Sequence, residues 1–217
     1  FFSGGRDSAV AAHIAYQCAK AVGLDVRLVF IDTTIALEET REYVRRYAEW
    51  LGAELVVLRP EKTFEEYARQ YPYWPNLLHA RWCFAKLKRK PLVQFLRQFP
   101  PMTVIQVLGI RRSESLFRER EFTKTFEIHC ESDRPCQYSW FPVLHLSHSD
   151  VERFIKKHGI PRSEVWDRLG FSGECFCLAG MPKRTLDATI RHYPYMAERL
   201  AKIDDIIHAH RRNREPS

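Results

Sequence analysis

Apolar residues along the first half of the chain recur with two different spacings. Helical spacing predicts helices over residues 8–22 and 38–51. Near-continuous apolar runs predict buried strands over residues 25–31 and 54–59, and another over residues 103–108. Helices that alternate with buried strands in this way are typical of a parallel sheet covered by helices.

The pattern is weaker over the rest of the chain, where Pro and Gly mark most boundaries. It predicts a short helix over 63–71 and a basic helix over 80–98 that is interrupted near Pro91. A surface loop or weak hairpin over 122–139 and an extended segment over 140–144 are expected next. The last predicted elements are a helix from the N-cap Ser149 to about residue 158, a loop over 165–180, and a helix pair over 185–207 split near Pro194. We therefore expect an α/β fold: an open, mostly parallel sheet flanked by helices, with a C-terminal cysteine-bearing loop and helices.

The most specific pattern in the chain is its first segment, Phe1-Phe2-Ser3-Gly4-Gly5-Arg6-Asp7-Ser8. Two aromatic residues end a strand, a glycine pair makes a turn, and an alanine-rich helix follows. Adjacent glycines turn backbone N–H groups towards one point, and the helix start adds unpaired N–H groups and a positive dipole end. The segment therefore predicts a cradle for a phosphate chain. Because only two residues precede the turn, we expect the numbering to begin inside a longer chain.

Two further polar turns follow predicted strands. Asp32 and Thr33 follow the second strand, and a Gly-Ile-Arg turn at residues 109–111 follows the strand over 103–108. Ligands of parallel sheets bind beyond the carboxyl ends of the strands, so we expect Asp32 and Thr33 beside the phosphate cradle. The length fits a nucleotide-binding α/β domain over residues 1–145, with a helical and cysteine-loop extension over residues 146–217 packed on it.

Composition limits the class of protein. The 217 residues are 45% hydrophobic, which is enough for a buried core, and no run of about 18 apolar residues could span a membrane. We expect a cytoplasmic protein. The net charge is +7, with basic groups over residues 81–90, 111–120 and 211–214. Such groups are typical of solvated faces, or of surfaces that bind nucleotide phosphate or, less strongly indicated here, nucleic acid.

The chain has six cysteines: Cys18, Cys83, Cys130, Cys136, Cys175 and Cys177. A chain that is not small and secreted favours reactive or metal-bound thiols over a disulfide framework. Cys18 lies on the apolar stripe of the first predicted helix, so we expect it in the core.

Five blocks, in order, resemble the phosphoadenosine phosphosulfate (PAPS) reductase family, a branch of the PP-loop adenine nucleotide α-hydrolase superfamily. They are residues 3–8; Phe30-Ile31-Asp32-Thr33 with Glu39-Thr40; Arg81-Trp82-Cys83 with residues 86–92; Gly109-Ile110-Arg111 with Glu114-Ser115 and Arg118; and Phe141-Pro142-Val143, Asp150-Val151, Ile160-Pro161 and residues 167–173. The matches span residues 1 to about 180 and imply the Rossmann-like fold of that superfamily.

The resemblance implies a site for an adenine nucleotide with Mg²⁺, either ATP or a sulfonucleotide (PAPS or adenylyl sulfate, APS). It implies catalytic roles for Arg6, Asp7, Lys86 and Arg111. The implied nucleotide-binding residues are Ser3, Gly4, Gly5, Arg6, Asp7, Ser8, Asp32, Thr33, Gly109, Arg111, Glu114 and Arg118.

The cysteines depart from the family pattern. Reductases with an iron–sulfur cluster carry two adjacent cysteines and then Cys-x-x-Cys, whereas this chain has one, Cys83, and then Cys175-Phe176-Cys177. The resemblance implies a 4Fe–4S cluster on Cys83, Cys136, Cys175 and Cys177, with Cys130 as an alternative fourth ligand. A three-cysteine cluster, a Zn²⁺ site and unliganded thiols are the other readings.

Two smaller features have structural interpretations. His79 lies beside the Arg-Trp-Cys block, and we expect a structural role for it rather than a place in the site. Tyr71, Tyr73 and Trp74 could stack on a base, but loop or core packing is the favoured interpretation.

Three functions remain open. In the first, the glycine loop and Arg6 bind the β- and γ-phosphates of ATP, Asp32 helps to bind the metal or the adenosine, and an acceptor oxygen is adenylated before sulfur displaces AMP. Lys86, Lys88, Arg111 and Arg118 then stabilise phosphate charge. The acceptor is tRNA or the DNA backbone, and the sulfur donor is a protein such as a cysteine desulfurase.

The second function is reduction of PAPS or APS to sulfite. Against it, residues 208–217 lack the catalytic cysteine that reductases carry in a Glu-Cys-Gly-like tail. Either that tail was trimmed from the sequence or the chain is not a sulfonucleotide reductase. The third is a non-catalytic nucleotide-binding subunit with a structural metal. A homodimer is compatible with each of the three.

Overall fold

The computed structural model of the chain describes residues 1–71, 73–78 and 81–212. The elements, in chain order, are α1 (Arg6–Ala21), β1 (Arg27–Ile31), α2 (Glu38–Leu51), β2 (Glu54–Leu58), α3 (Phe64–Ala68), a π-helix (Phe84–Arg89), α4 (Lys90–Leu96), β3 (Ile105–Val107), a 3₁₀ turn (Arg112–Glu114), α5 (Leu116–Glu121), β4 (Phe126–Glu131), β5 (Arg134–Trp140), α6 (His148–His158), α7 (Glu164–Leu169), α8 (Lys183–His192) and α9 (Pro194–Arg212).

The strands form two groups that the first two residues connect. Strands β1 and β2 are parallel, β3 is parallel to β5, and β4 is antiparallel to β5. The Phe2 N–H donates to the Val29 carbonyl (2.9 Å), while the Phe1 ammonium donates to the Val107 carbonyl (2.6 Å). Residues 1–2 therefore lie between β1 and β3. The expected α/β fold with a mostly parallel sheet is confirmed.

Two hydrophobic cores flank this sheet. The first packs α1, β1 and α2 together, with Tyr47 at its centre, and the second packs the α3 region against α9, with Phe64 and Phe176 buried in it. Residues on both sides of the predicted boundary at residue 145 contribute to each core, Val151 to the first and Met196 to the second.

The basic helix predicted over residues 80–98 is interrupted before Pro91, as expected, and the interruption is a π-helix. Pro91 is the second residue of α4 and has no N–H to donate to the preceding turn. The turn before it, Phe84–Arg89, takes i→i+5 hydrogen bonding instead. Residues five apart, such as Cys83 and Lys88, consequently come to one side of this segment.

Several local expectations need correction. The cap of α6 is Ser147 and not Ser149, because the Ser147 hydroxyl accepts from the Asp150 N–H (3.1 Å) in a capping box. The predicted loop over 165–180 contains α7, which begins at Glu164 and is too short to show a helical period. Residues 142–145 form a turn rather than an extended segment. For residues 122–139, the hairpin was the correct one of the two expected alternatives, since β4 and β5 pair antiparallel there.

Cys18 is exposed and not in the core. The buried residues of α1 end at Ala15, so the last turns of this helix, which carry Cys18, lie outside the core. In the parts of the chain that the model describes, no helix combines the length and apolar character needed to cross a bilayer.

Candidate functional site

Residues 3–8, here called the phosphate loop, form a closed turn at the start of α1. Gly4 adopts φ +77°, which favours glycine, and Gly5 is the N-cap of the helix. The Ser8 hydroxyl donates to the Gly5 carbonyl (2.8 Å) and lies 3.1 Å from the Ser3 hydroxyl. The loop thus presents a helix N-terminus at the carboxyl end of the sheet, where an anion is favoured.

The turn after β3 packs directly on this loop. A Cβ atom on Gly109 would lie 2.5 Å from the Ser8 nitrogen and 2.6 Å from its Cα, so only glycine fits there. Two residues later, Arg111 Nε lies 3.0 Å from Asp7 Oδ2, and both side chains are buried. The two motifs therefore meet through a close backbone contact and a buried ion pair.

Further charged groups surround Asp7. Glu114 accepts weakly from the Arg111 N–H (3.5 Å) and forms an ion pair with Arg118. Burial lowers the pKa of Arg118, and the Asp7 carboxylate opposes that shift. Among the described residues, buried Asp7 Oδ1 has no hydrogen-bond partner, although it forms an ion pair with Arg6 Nε at 3.6 Å. Buried acceptors without a hydrogen bond are rare in folded proteins.

Arg6 points in another direction from the one that the resemblance implied. Its guanidinium donates to Glu152 Oε1 (2.8 Å), lies 2.9 and 3.0 Å from the ring nitrogens of His148, and packs 4.8 Å from the Trp166 ring centroid. Glu152 is held in turn by Arg162 (2.7 Å). Arg6 thus connects the loop to α6 and α7, and its charge is already balanced there.

Asp32 and Thr33 lie at the end of β1 as expected, but their side chains already have partners. The Asp32 carboxylate accepts from the Arg41 guanidinium at 3.0 and 3.1 Å, and lies 3.3 Å from Arg59 Nε. The Thr33 hydroxyl donates to the Glu174 carbonyl (2.6 Å).

The end of the fifth family block joins the phosphate loop to the cysteines, a role that the sequence did not predict. We call residues 172–174 the strap. The Thr40 hydroxyl donates to the Ser172 carbonyl (2.8 Å), and Leu37 N–H donates to the Gly173 carbonyl (2.9 Å). A Cβ on Gly173 would lie 2.5 Å from Thr40 Oγ1. The glycine directly before Glu174-Cys175 was the available signal.

The strap places three thiols together. Cys177 lies within hydrogen-bonding reach of both Cys83 and Cys175. The interaction with Cys177 lowers the pKa of Cys83, whereas the interaction with Cys177, together with burial, raises the pKa of Cys175 well above its usual value. The three thiols are therefore unequal, and Cys83 gives up its proton most readily.

Lys88, rather than Lys86, is the lysine beside these thiols. Lys88 Nζ lies 2.6 Å from Glu174 Oε1. Burial lowers the pKa of Lys88, but the Glu174 carboxylate and the nearby cysteines raise it by a larger amount, so the ammonium stays charged. Lys86 lies within electrostatic reach of Glu61 instead. The i→i+5 turn between Cys83 and Lys88 explains this difference.

The thiols line a cleft of about 740 Å³, here called the thiol cleft. Its wall includes the side of α8 and the turn after Cys177, and Phe84 and Leu77 contribute apolar surface. A cleft of this size is in the usual range for a small-molecule site.

Cys136 does not join the thiol group. Its sulfur is bonded to that of Cys130 across the β4–β5 hairpin, so neither residue has a thiol for a metal. In residues 1–71, 73–78 and 81–212, no group of three or more His, Cys, Asp and Glu side chains is arranged to hold a metal ion. The donor set as it stands does not fit the four-cysteine cluster that the resemblance implied.

The aromatic residues before the π-helix pack as expected. Tyr71 stacks on Trp82 at 5.0 Å, and the Trp74 indole N–H donates to Asp204 (2.8 Å). His79, for which a structural role was expected, lies outside the described residues.

A glycine loop at a helix start, at the carboxyl end of a mostly parallel sheet, defines an α/β protein of the PP-loop class. The chain belongs to the PAPS reductase family, because the phosphoadenosine phosphosulfate reductase domain model matches residues 1–172.

Three known proteins illustrate the relationship. An uncharacterised Methanocaldococcus jannaschii protein, MJ0066, is 30% identical over 208 residues, which are 91% of this chain and 39% of that protein. An adenosine 5′-phosphosulfate reductase of Staphylococcus haemolyticus is 27% identical over 167 residues, covering 76% of this chain and 63% of the enzyme. The crystal structure of Candida auris PAPS reductase superimposes with a TM-score of 0.56 at 19% identity, over 78% of this chain and 75% of that one. The chain spans less than two thirds of these two curated relatives.

Replacing Gly109 by alanine should weaken nucleotide binding. The added methyl overlaps the backbone of Ser8 and forces the loop to shift, at a cost of about 1–3 kcal/mol or roughly tenfold or more in affinity. Titration calorimetry with ATP and APS measures it. The matched control is Gly159→Ala at the end of α6, where a Cβ meets open space; it should cost about 1 kcal/mol of stability and leave affinity unchanged. Equal losses in both variants would refute the close-contact argument.

Arg6→Lys separates the two roles of Arg6. A lysine keeps the charge but cannot serve Glu152 and stack on Trp166 together, so the free energy of unfolding should fall by about 1–3 kcal/mol. Nucleotide affinity should change less than about threefold, or about 0.7 kcal/mol. Urea unfolding and calorimetry give both quantities. A large loss of affinity with unchanged stability would place Arg6 on the phosphates instead.

The thiols should differ in their pH dependence of alkylation. In chelator-treated Cys18→Ser protein, iodoacetamide labelling of Cys83 should begin below the pH of about 8.5 that is usual for a thiol, because its lowered pKa leaves more thiolate at neutral pH. Cys177→Ala removes the hydrogen-bonding partner that lowers the pKa of Cys83 and should move that profile to higher pH. Cys175→Ala removes a charge that raises the pKa of Cys83 and should move the profile the other way, to lower pH. Mass spectrometry of labelled peptides measures each site; an unchanged Cys83 profile in Cys177→Ala contradicts the assignment.

Proposed function

We propose that the chain is a PP-loop ATP pyrophosphatase that adenylates an acceptor oxygen and then delivers sulfur to the activated acceptor. The strap is the observation that carries this proposal. It contacts the α2 start beside the phosphate loop through Ser172 and Gly173, and leads within three residues to the thiols. A nucleotide on the loop would therefore have sulfur close to its phosphates.

In the first step, the acceptor oxygen attacks the α-phosphorus of ATP, which enters as its Mg²⁺ complex. The bond between the α-phosphorus and the bridging oxygen breaks, and pyrophosphate leaves with the electron pair. The loop N–H groups would bind the polyphosphate, and Arg111 and Arg118 would balance the charge that develops on it. The family's phosphate chemistry needs little else from the protein than positioning and charge.

In the second step, a cysteine persulfide, charged by a persulfide-bearing donor protein such as a cysteine desulfurase, attacks the adenylated centre. AMP leaves, and the acceptor is then joined to the cysteine through a disulfide. A second thiolate attacks the cysteine sulfur, which releases the acceptor as a thiol and leaves a cysteine pair as a disulfide for an external thiol to reduce. Cys177 contacts both other thiols, so it is placed to resolve a persulfide on either. No step passes through an iron–sulfur cluster.

The relatives named adenosine 5′-phosphosulfate reductase favour a second candidate at the same site. There, a thiolate attacks the sulfur of a sulfonucleotide, and the nucleotide phosphate leaves. A second thiol then attacks the resulting S-sulfocysteine and releases sulfite, with formation of a disulfide. Both reactions need a sulfur nucleophile and a resolving thiol beside a nucleotide, and they differ in which bond of the nucleotide breaks.

Two assays run in parallel decide between them. Under anaerobic conditions, with a thiol reductant, a persulfide donor and total RNA or DNA, ATP should give pyrophosphate, and APS and PAPS should give no sulfite. Asp7→Ala should lower pyrophosphate release by about 100-fold or more, since it leaves Arg111 buried without its partner. Asp25→Ala, at an exposed acidic residue between α1 and β1, is the matched control and should leave it unchanged.

Cys177→Ala should keep pyrophosphate release and lose transfer of radiolabelled sulfur to the acceptor. Sulfite from a sulfonucleotide would replace the first proposal with the second. Tight ATP binding with neither product would indicate a non-catalytic nucleotide-binding subunit.

A further inference from the structure

The thiol cleft carries an excess of positive charge. Its lining includes Arg81, Lys88, Arg168 and Arg184, but among carboxylates only Glu174. Glu174 pairs with Lys88, and Glu164 pairs with Arg168 (2.6 Å). Within the residues that the model describes, Arg81 and Arg184 have no carboxylate partner, and both are exposed. Two guanidinium groups without a carboxylate partner in one cleft attract an anion.

The same cleft offers surface for a flat, apolar group. The Arg81 guanidinium lies 5.0 Å from the centroid of the Phe84 ring, which is 44% exposed. Leu77, 58% exposed, adds further apolar surface to the lining. Aromatic rings and arginine planes beside unpaired cations are the combination on which bases of single-stranded nucleic acids stack.

The position of the thiols selects between duplex and single strand. Cys83 is 6% exposed, and Cys175 and Cys177 are only partly exposed. Atoms of a stacked, paired base cannot reach groups at this depth, whereas a base that is out of its stack can enter a cleft.

We propose that the thiol cleft binds a nucleotide unit of a single-stranded nucleic acid, with Arg81 and Arg184 on its phosphates and Phe84 under its base. The volume of about 740 Å³ accommodates a ligand of that size. The sequence pI of about 9.2 agrees with a nucleic-acid surface. The inference deepens the proposed function, on which it rests for the claim that the bound strand is the acceptor of sulfur. Binding itself does not depend on that claim.

Fluorescence anisotropy with labelled single strands of about ten nucleotides, RNA and DNA, tests the proposal without ATP. The Arg81→Ala/Arg184→Ala protein should bind at least tenfold more weakly at low salt, and the slope of log K against log salt should fall by about 1–2. Lys156→Ala/Lys157→Ala removes the same charge from exposed positions on α6, and should change affinity less than about twofold. The single strand should also slow alkylation of Cys177, and a matching duplex should not.

Three results would overturn the proposal. Equal losses in the two double variants would mean attraction by net charge alone. Full displacement of the strand by AMP at similar concentration would mean a site for a free nucleotide. Duplex binding as tight as single-strand binding would mean that the cleft is not the contact. Loss of pyrophosphate release with intact strand binding would remove the proposed function only, so the two failures are distinguishable.

Discussion

The buried ion pair between Asp7 and Arg111 is the interaction on which the rest of the site depends. It joins the first turn of α1 to the segment after β3, at a point where Gly109 already brings the two backbones into contact. Charges that are removed from water must be paired, so each residue fixes the other. Arg6, the neighbouring residue, donates to Glu152 and also lies 3.6 Å from Asp7 Oδ1. Arg6 and Asp7, adjacent residues of opposite charge, thus anchor the phosphate loop to α6 and to the segment after β3.

The strap transmits this rigidity to the sulfur atoms. The Thr40 hydroxyl, the Leu37 N–H and the Thr33 hydroxyl donate in turn to the carbonyls of Ser172, Gly173 and Glu174, in a segment that belongs to no helix or strand. Because those carbonyls are otherwise unpaired in the interior, the segment cannot leave the α2 start without a cost in hydrogen bonding. The position of the thiols relative to the phosphate loop therefore depends on the hydrogen bonds of the strap to Thr33 and to the start of α2.

Local patterns were sufficient for much of the fold and for the phosphate loop. The period of α2 fixed its bounds at Glu38–Leu51, and the glycine pair predicted the turn that the structure contains. What failed were features set by distant partners. The direction of Arg6 depends on Glu152, 146 residues away, and the loss of Cys136 from the thiol group depends on strand register. By contrast, the Ser147 cap had a local signal in Asp150.

The π-helix determines which lysine side chain faces the thiol cleft. Lys86 and Lys88 are the same residue type in the same basic segment, and the wider turn of the π-helix places Lys88 beside Glu174 and the thiols. Loss of one residue from this turn would restore ordinary helical spacing and rotate a different side chain into the same place. A single insertion or deletion in the π-helix could therefore change which basic side chain lies in this cleft, without substitution of any lysine.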